Sequence, residues 1–394
     1  MKTPKLHVIA GQPSWSIRSS TVEAAVTQTG GHVAPVVFDR KARRLQPYSI
    51  APWAAEDRPI LQPQIIRVLR GDFFCLPFGG NDAPYRGERH PVHGETANRD
   101  WRFVSLAGGG GEHLLRLRMK TTLRPGTVDK TLRLVDGHNA VYCRHTLTGF
   151  SGPMNPGHHA ILRFPDEEGS GLISTSRFVH GQVYVQPTER PDQRGYSCLK
   201  PGAVFTSMRK VPTVFGGTAD LSRYPARRGF EDIAILVADP SLDVAWVAAS
   251  FPRQRYVWFA LHDPRTLAST LLWMSNGGRH YPPWSGRHVN VIGLEQITGF
   301  FHEGLNSSAR PNSLTRRGLK TCLTLSPARP TTINYIMTCI PTPTGFGRVR
   351  SLTPNRDKTA VTLTDEKGRK ITTPLDVAWL NGGQLSAGGA CSGR

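Results

Sequence analysis

Residues 233–274, IAILVADPSLDVAWVAASFPRQRYVWFALHDPRTLASTLLWM, decide the fold class. They hold four apolar runs, at 233–238, 244–251, 256–261 and 270–274. Each is too short for an ordinary helix and is rich in β-branched and aromatic residues, the composition of strands packed against other strands. Asp239-Pro240-Ser241 supplies the turn between the first two runs. After the third, Asp263 can cap and Pro264 can open a short helix.

The same signature extends outward. Downstream, 288–294 reads as another strand across the loop SNGGRHYPPWSGR (275–287), and 359–380 forms a hairpin about 365–368. Upstream, the alternation over 15–26, the Gly30-Gly31 turn and the run 32–38 make an opening meander, and 47–53 is an extended, Pro-punctuated connection. The runs 128–134 and 140–147 flank Asp136-Gly137, a strong hairpin signal. Four glycines at 108–111 precede Leu115, Leu117 and Met119 alternating with Arg116, Arg118 and Lys120. A phosphate-cradling loop needs a helix there, so these glycines read as a hairpin loop. Residues 187–230 are irregular, with PTERPDQRG (187–195) an exposed excursion, and 382–394 is a frayed tail. Strands dominate and helices number one or two, which selects an all-β sandwich over alternating β and α units.

The 394 residues can bury a large core, and 40 glycines and 31 prolines fit a chain of many turns. The formal net charge of +20 raises the question of nucleic acid, but the basic residues are scattered, with no run of five and no recognisable nucleic-acid module. The excess therefore reads as a solvated basic surface, and nucleic acid is not an expected partner. Six cysteines, widely spaced and never in a CxxC pair, speak against structural zinc and a dense disulfide framework. With no signal-type apolar run and no stretch near the ~20 apolar residues of a membrane span, a soluble cytoplasmic protein is expected.

Chemistry concentrates in LPFGGNDAPYRGERHPVHGETANRDWRF (76–103), a polar loop between strands that carries His90, His93, Glu95, Asn98 and Arg99. Loops of this length are functional or disordered, and the interleaved Trp, Phe and Pro argue for order. His158 and His159 follow in a second loop, Asp232 in GFEDI, and Glu295 in VIGLEQ, at a strand end beside buried residues. Desolvation there can raise a carboxyl pKa toward neutrality and make it a usable base. His90-x-x-His93 and the 158–159 pair could offer imidazoles to a metal, but adjacent strand residues face opposite ways and no HExxH or Cys pattern supports zinc, so no metal is expected. A GxSxG elbow is absent.

Four segments in register, GGHVAPVVF (30–38), HPVHGETANRDWRF (90–103), GHHAILRFP (157–165) and VIGLEQ (291–296), resemble the aldose 1-epimerase, or galactose mutarotase-like, superfamily over about residues 15–345. The resemblance implies a large antiparallel β-supersandwich over 1–345, with a small C-terminal hairpin extension and tail over 346–394 packed on the same domain. It implies a mono- or oligosaccharide substrate, no cofactor, and an isomerase that interconverts sugar anomers by acid–base ring opening. On this resemblance Glu295 matches the general base and His159 the general acid, with His158 the other candidate. His93 matches the histidine that holds the sugar, and Asp232 a substrate-binding acid. Asn81 matches the asparagine of an Asn-Arg step, but Asp82 follows it, leaving Arg86 or Arg99 to substitute. Trp101, Trp273 or Trp284 could stack on a sugar face. The alternatives are a non-catalytic sugar-binding or regulatory protein, and an epimerase for phosphorylated hexoses, suggested by Arg86, Arg89, Arg99 and Arg279.

Overall fold

The computed structural model describes residues 5–56 and 63–382; residues 383–394, where most of the expected frayed tail falls, lie outside them. Two large antiparallel sheets dominate. One has eight strands and runs Val204–Phe205, Phe178–Val183, Phe230–Ala238, Ser269–Asn276, Val291–Ile297, Gly157–His158, Phe74–Cys75, with Ile161–Arg163 also paired to Val291–Ile297. The other has nine and runs Arg223–Tyr224, Gly171–Thr175, Ala245–Phe251, Tyr256–His262, Thr331–Pro341, Ala140–Thr148, Gly126–Val135, Glu112–Thr121, Arg102–Gly109. The opening meander is a separate four-stranded sheet, His7–Ile9 to Val33–Val37. The two described α-helices, Gln64–Val68 and Leu305–Ser308, are one turn each, and the 263–267 segment is a turn rather than the expected helix. Asp263 still accepts a hydrogen bond from the Arg265 amide, but the chain re-enters a strand at Ser269 before a second turn can form.

Strand parity sorts the side chains into three layers. Ala234, Leu236, Leu272, Met274, Ile292 and Leu294 point between the sheets, against Val247, Trp258, Tyr335 and Met337. Ile233, Ile235, Leu271, Trp273, Val291 and Ile297 point to the other face of the eight-stranded sheet and meet Phe73, Phe78, Trp284 and Phe301 there. The nine-stranded sheet is covered on its far side as well: Trp246, Phe259, Leu261 and Ile336 pack against Val349, Leu363, Leu375 and Trp379 of the C-terminal segment. This double burial is why 244–251 and 256–261 are apolar at nearly every position instead of alternating. The C-terminal segment is a three-stranded meander, Val349–Pro354, Ala360–Asp365 and Lys370–Pro374, one strand more than the hairpin expected from sequence. Its first strand was hidden because VRSLTP shows no clean alternation and carries a bulge.

Trp379 anchors this third layer. It is fully buried, donates its indole N–H to the Cys143 carbonyl at 3.1 Å, and receives the Arg144 guanidinium 4.0 Å from its ring centre. Trp379→Ala should therefore cost about 3–5 kcal/mol in denaturant unfolding, whereas a loss below about 1 kcal/mol would mean that the C-terminal layer contributes little to the stability of the sandwich.

Candidate functional site

Glu295 occupies the strand Val291–Ile297, whose odd-numbered residues face away from the second sheet. Its carboxyl is 1% exposed at the floor of a cavity of about 160 Å³. Aromatic and aliphatic side chains form most of the lining, including Ile65, Phe78, Leu271, Trp273 and Trp284, and the polar groups that reach it are His93, His159, Arg279, Glu295 and His302. His159 Nε2 lies 3.3 Å from Glu295 Oε1, at ion-pair distance but outside hydrogen-bond geometry, and Oε1 has no hydrogen-bond partner among the described residues. Burial raises the Glu295 pKa well above the usual carboxyl value, with the charge of Asp72 adding to it. Burial likewise holds His159 well below the ordinary imidazole range, and His93 and His32 push it the same way. Both directions favour the uncharged forms, a protonated carboxyl and a neutral imidazole.

The histidine is held by packing. Its ring stacks on Phe73 at 4.5 Å and meets His93 edge-on at 4.8 Å and Trp273 at 5.6 Å. His93 sits at φ 59° in the polar loop 76–103, and its Nδ1 accepts a hydrogen bond from the Gly79 amide at 3.3 Å. That fixes Nδ1 as the acceptor and leaves Nε2–H as the donor. Burial lowers the His93 pKa to about 3 and that of His302 to about 4. Near the cavity wall Glu231 accepts hydrogen bonds from Trp273 Nε1 at 3.2 Å and Ser275 Oγ at 2.9 Å, and burial pushes its pKa up to about 8. Arg279 lies 4.6 Å from the Trp284 ring centre and donates to Glu189 at 2.5 Å.

Glu295, His159, His93 and Trp284 thus line one cavity, joined by Trp273 and Arg279. The other candidates lie elsewhere. His158 faces between the sheets, fully buried, with Nδ1 2.9 Å from Asp72 Oδ2, because one step along a strand reverses the side chain. Asp232 is turned from the cavity by the same rule; it accepts from the Cys198 and Leu199 amides at 3.1 and 2.8 Å, and its neighbour Glu231 takes the cavity side. A roomier hollow of about 350 Å³ opens beside Asp232, where the Cys198 thiol donates to its carboxylate at 3.1 Å, but no histidine lines it. Asn81 donates its amide to the carbonyls of Gly79 and Pro91 and accepts from the Leu305 amide, so its carboxamide serves the loop. Arg99 pairs with Glu95 and faces a separate groove with Trp15 and Phe103, while Arg86 and Arg89 are exposed. Trp101 is buried under the loop and donates to the Thr96 carbonyl. Sequence reasoning missed Glu231, Glu189 and His302. Parity from Ile233 was the signal available for Glu231; for Glu189, inside an apparently exposed excursion, there was none.

No protein-family model and no curated protein matches the sequence. Solved structures do match. A galactose mutarotase-like protein from Clostridium acetobutylicum superposes with TM-score 0.55 at 10% identity, covering 86% of this chain and 98% of that one. A galactose mutarotase related enzyme from Lactobacillus acidophilus gives 0.53 at 12%, covering 84% and 98%. The fold is galactose mutarotase-like. A proposed aldose 1-epimerase from Klebsiella pneumoniae shares it with TM-score 0.56 and 14% identity, over 86% of this chain and 82% of its own. In this mutarotase-like sandwich no described helix is long and apolar enough to cross a membrane, and no group of three or more His, Cys, Asp or Glu among the described residues is arranged to hold a metal ion.

Gly293 gives Glu295 its place in the mutarotase-like sheet. A Cβ at Gly293 would lie 2.2 Å from Glu295 Oε1, so the carboxyl folds back over its own strand into the space a side chain would fill. The atoms met belong to a side chain and not to backbone. Gly293→Ala should accordingly fold with a stability change of about 1 kcal/mol or less and displace the carboxyl from His159; a crystal structure of the variant with the 3.3 Å contact intact would contradict this.

Proposed function

We propose that the cavity binds a neutral monosaccharide and interconverts its anomers, as an aldose 1-epimerase does. The observation that carries this reading is the buried Glu295–His159 contact, where burial favours a protonated carboxyl and an uncharged imidazole. Ring opening needs one group to protonate the ring oxygen and another to remove the proton of the anomeric hydroxyl. Both oxygens are bonded to the same carbon, C1, so an acid and a base in contact can each reach one. The C1–ring oxygen bond breaks, the free aldehyde rotates about C1–C2, and reclosure runs the same transfers backward. Opening swaps the proton between Glu295 and His159 and closure restores it, so no cofactor enters the cycle. The resemblance makes Glu295 the base; burial in the free cavity gives it the proton first, and the two half-reactions exchange the roles.

Size and charge narrow the substrate. A cavity of about 160 Å³ is small beside the roughly 300–1,000 Å³ of sites for drug-sized ligands and suits one ring better than a chain. His93 Nε2–H is placed to hold a hydroxyl, and Trp284 offers an apolar face. Arg279 is the one cation that lines the cavity among the described residues, and it is already paired with Glu189. With Arg86, Arg89 and Arg99 elsewhere, a neutral sugar fits better than a phosphorylated one.

Polarimetry on freshly dissolved α-anomers of glucose and galactose tests the reading. Glu295→Gln and His159→Asn should each slow catalysed interconversion by about 10²- to 10⁴-fold, with modest effects on sugar affinity, while His93→Ala should act mainly through affinity. The acid-side decline should lie well below the ordinary imidazole range, where His159 takes a second proton, and the alkaline decline, which marks loss of the Glu295 proton, well above the ordinary carboxyl range. If the wild type accelerates no aldose but binds sugar in a way that survives Glu295→Gln, the cavity is a recognition site and the epimerase reading is wrong.

A further inference from the structure

Away from the cavity, a groove of about 450 Å³ runs along the seam between the strand Gly171–Thr175 and the C-terminal meander. Arg177, Arg209, Arg348 and Arg350 all line it, with a single lining carboxyl, Glu366. Arg177 is balanced by Asp239. The other three face one glutamate, a local excess of two positive charges (three guanidiniums less one carboxylate). Arg348 is 7% exposed and fixed from behind by its Nη1 hydrogen bond to the Ile173 carbonyl at 3.3 Å. Arg350 is exposed and makes no ion pair among the described residues.

The position of Glu366 shows what the groove accepts. Its Oε1 lies 3.1 Å from Arg209 Nη2 and 3.1 Å from Arg348 Nε, between two guanidiniums, but hydrogen-bond geometry is met only toward Arg209. The glutamate itself is 45% exposed, on the solvent side of the groove's buried Arg348. Ser174, 9% exposed, has a hydroxyl with no hydrogen-bond partner among the described residues, and it lines the same groove. Planar guanidinium forks suit tetrahedral oxyanions, whose several oxygens can engage more than one fork at once.

We infer that this seam is a second ligand site, for a phosphate- or sulfate-type oxyanion, and that Glu366 is the internal group such an anion displaces. With Glu366 in place the three guanidiniums keep two positive charges, whereas a dianion in its place leaves one. The site is independent of the sugar cavity and of the reaction proposed there. It also gives part of the basic surface a local purpose that its even spread along the sequence conceals.

Calorimetric titration of the full-length protein with inorganic phosphate and with sulfate, at ionic strength held constant with sodium chloride, tests the inference. Glucose 6-phosphate in a parallel titration distinguishes a free anion from one carried on a sugar. Arg209→Ala/Arg350→Ala, which alters two exposed side chains, should weaken phosphate binding about tenfold or more. Glu366→Gln should tighten it several-fold by removing the internal competitor, a gain that a merely structural glutamate would not produce. Glu295→Gln should leave it unchanged. Phosphate binding that is equal in the wild type and the double variant, that is weakened by Glu366→Gln, or that is absent at about 10 mM phosphate would overturn the inference.

Discussion

A carboxyl buried in an apolar cavity cannot stand as a bare charge, and much of this molecule follows from how Glu295 meets that constraint. Transfer of an unpaired carboxylate into such surroundings costs several kcal/mol even after relaxation. Taking up a proton removes the difficulty, and burial moves Glu295 in that direction while disfavouring a charge on His159. The same burial raises the proton affinity of the carboxyl and lowers that of the imidazole, the kind of paired shift on which the proposed acid–base chemistry rests. Phe78 and Trp273 line the cavity beside the pair, Phe73 stacks on His159, and Gly293 leaves room for the carboxyl to turn toward the imidazole.

The eight-stranded sheet acts as a partition between two polar sets. His159 and Glu295 face the cavity; their sequence neighbours His158 and Gln296 face the interior, where His158 meets Asp72 and Gln296 accepts a hydrogen bond from the Tyr335 hydroxyl at 2.6 Å. Lys130 and His145 stand opposite each other on paired strands of the second sheet, both fully buried, with His145 stacked on Phe74 at 3.9 Å. The two sets are not electrically separate, because the Asp72 charge helps to raise the proton affinity of Glu295 across the sheet. Strand positions next to the cavity residues therefore carry consequences for the site without lining it.

The strand content and sandwich class were legible in sequence, since apolar runs bounded by Asp-Pro and Asp-Gly turns have few other solutions. Glu295 and His159 were also nominated, but from resemblance to a family; their spacing of more than a hundred residues says nothing by itself about contact. Parity could have separated Asp232 from Glu231, because Ile233 and Ile235 mark the cavity-facing register of that strand. It could not have placed Glu189, whose segment is irregular and reaches Arg279 only through tertiary folding. Asn81 and Arg99 misled for another reason: in a loop this polar, many side chains satisfy the loop's own backbone and neighbours, as Asn81 does at Pro91 and Glu95 does at Thr122. The polar groups of the loop 76–103 mainly serve its own architecture, and His93 is the one residue of the set His90, His93, Glu95, Asn98 and Arg99 to line the cavity.

A structure with a bound aldose tests the central claim most directly. The account predicts one sugar ring in the cavity, with the anomeric hydroxyl and the ring oxygen each within about 3.2 Å of the Glu295 carboxyl or His159 Nε2, and with His93 Nε2 on a neighbouring hydroxyl. A sugar whose C1 points away from both groups, or one that binds only outside this cavity, would contradict it.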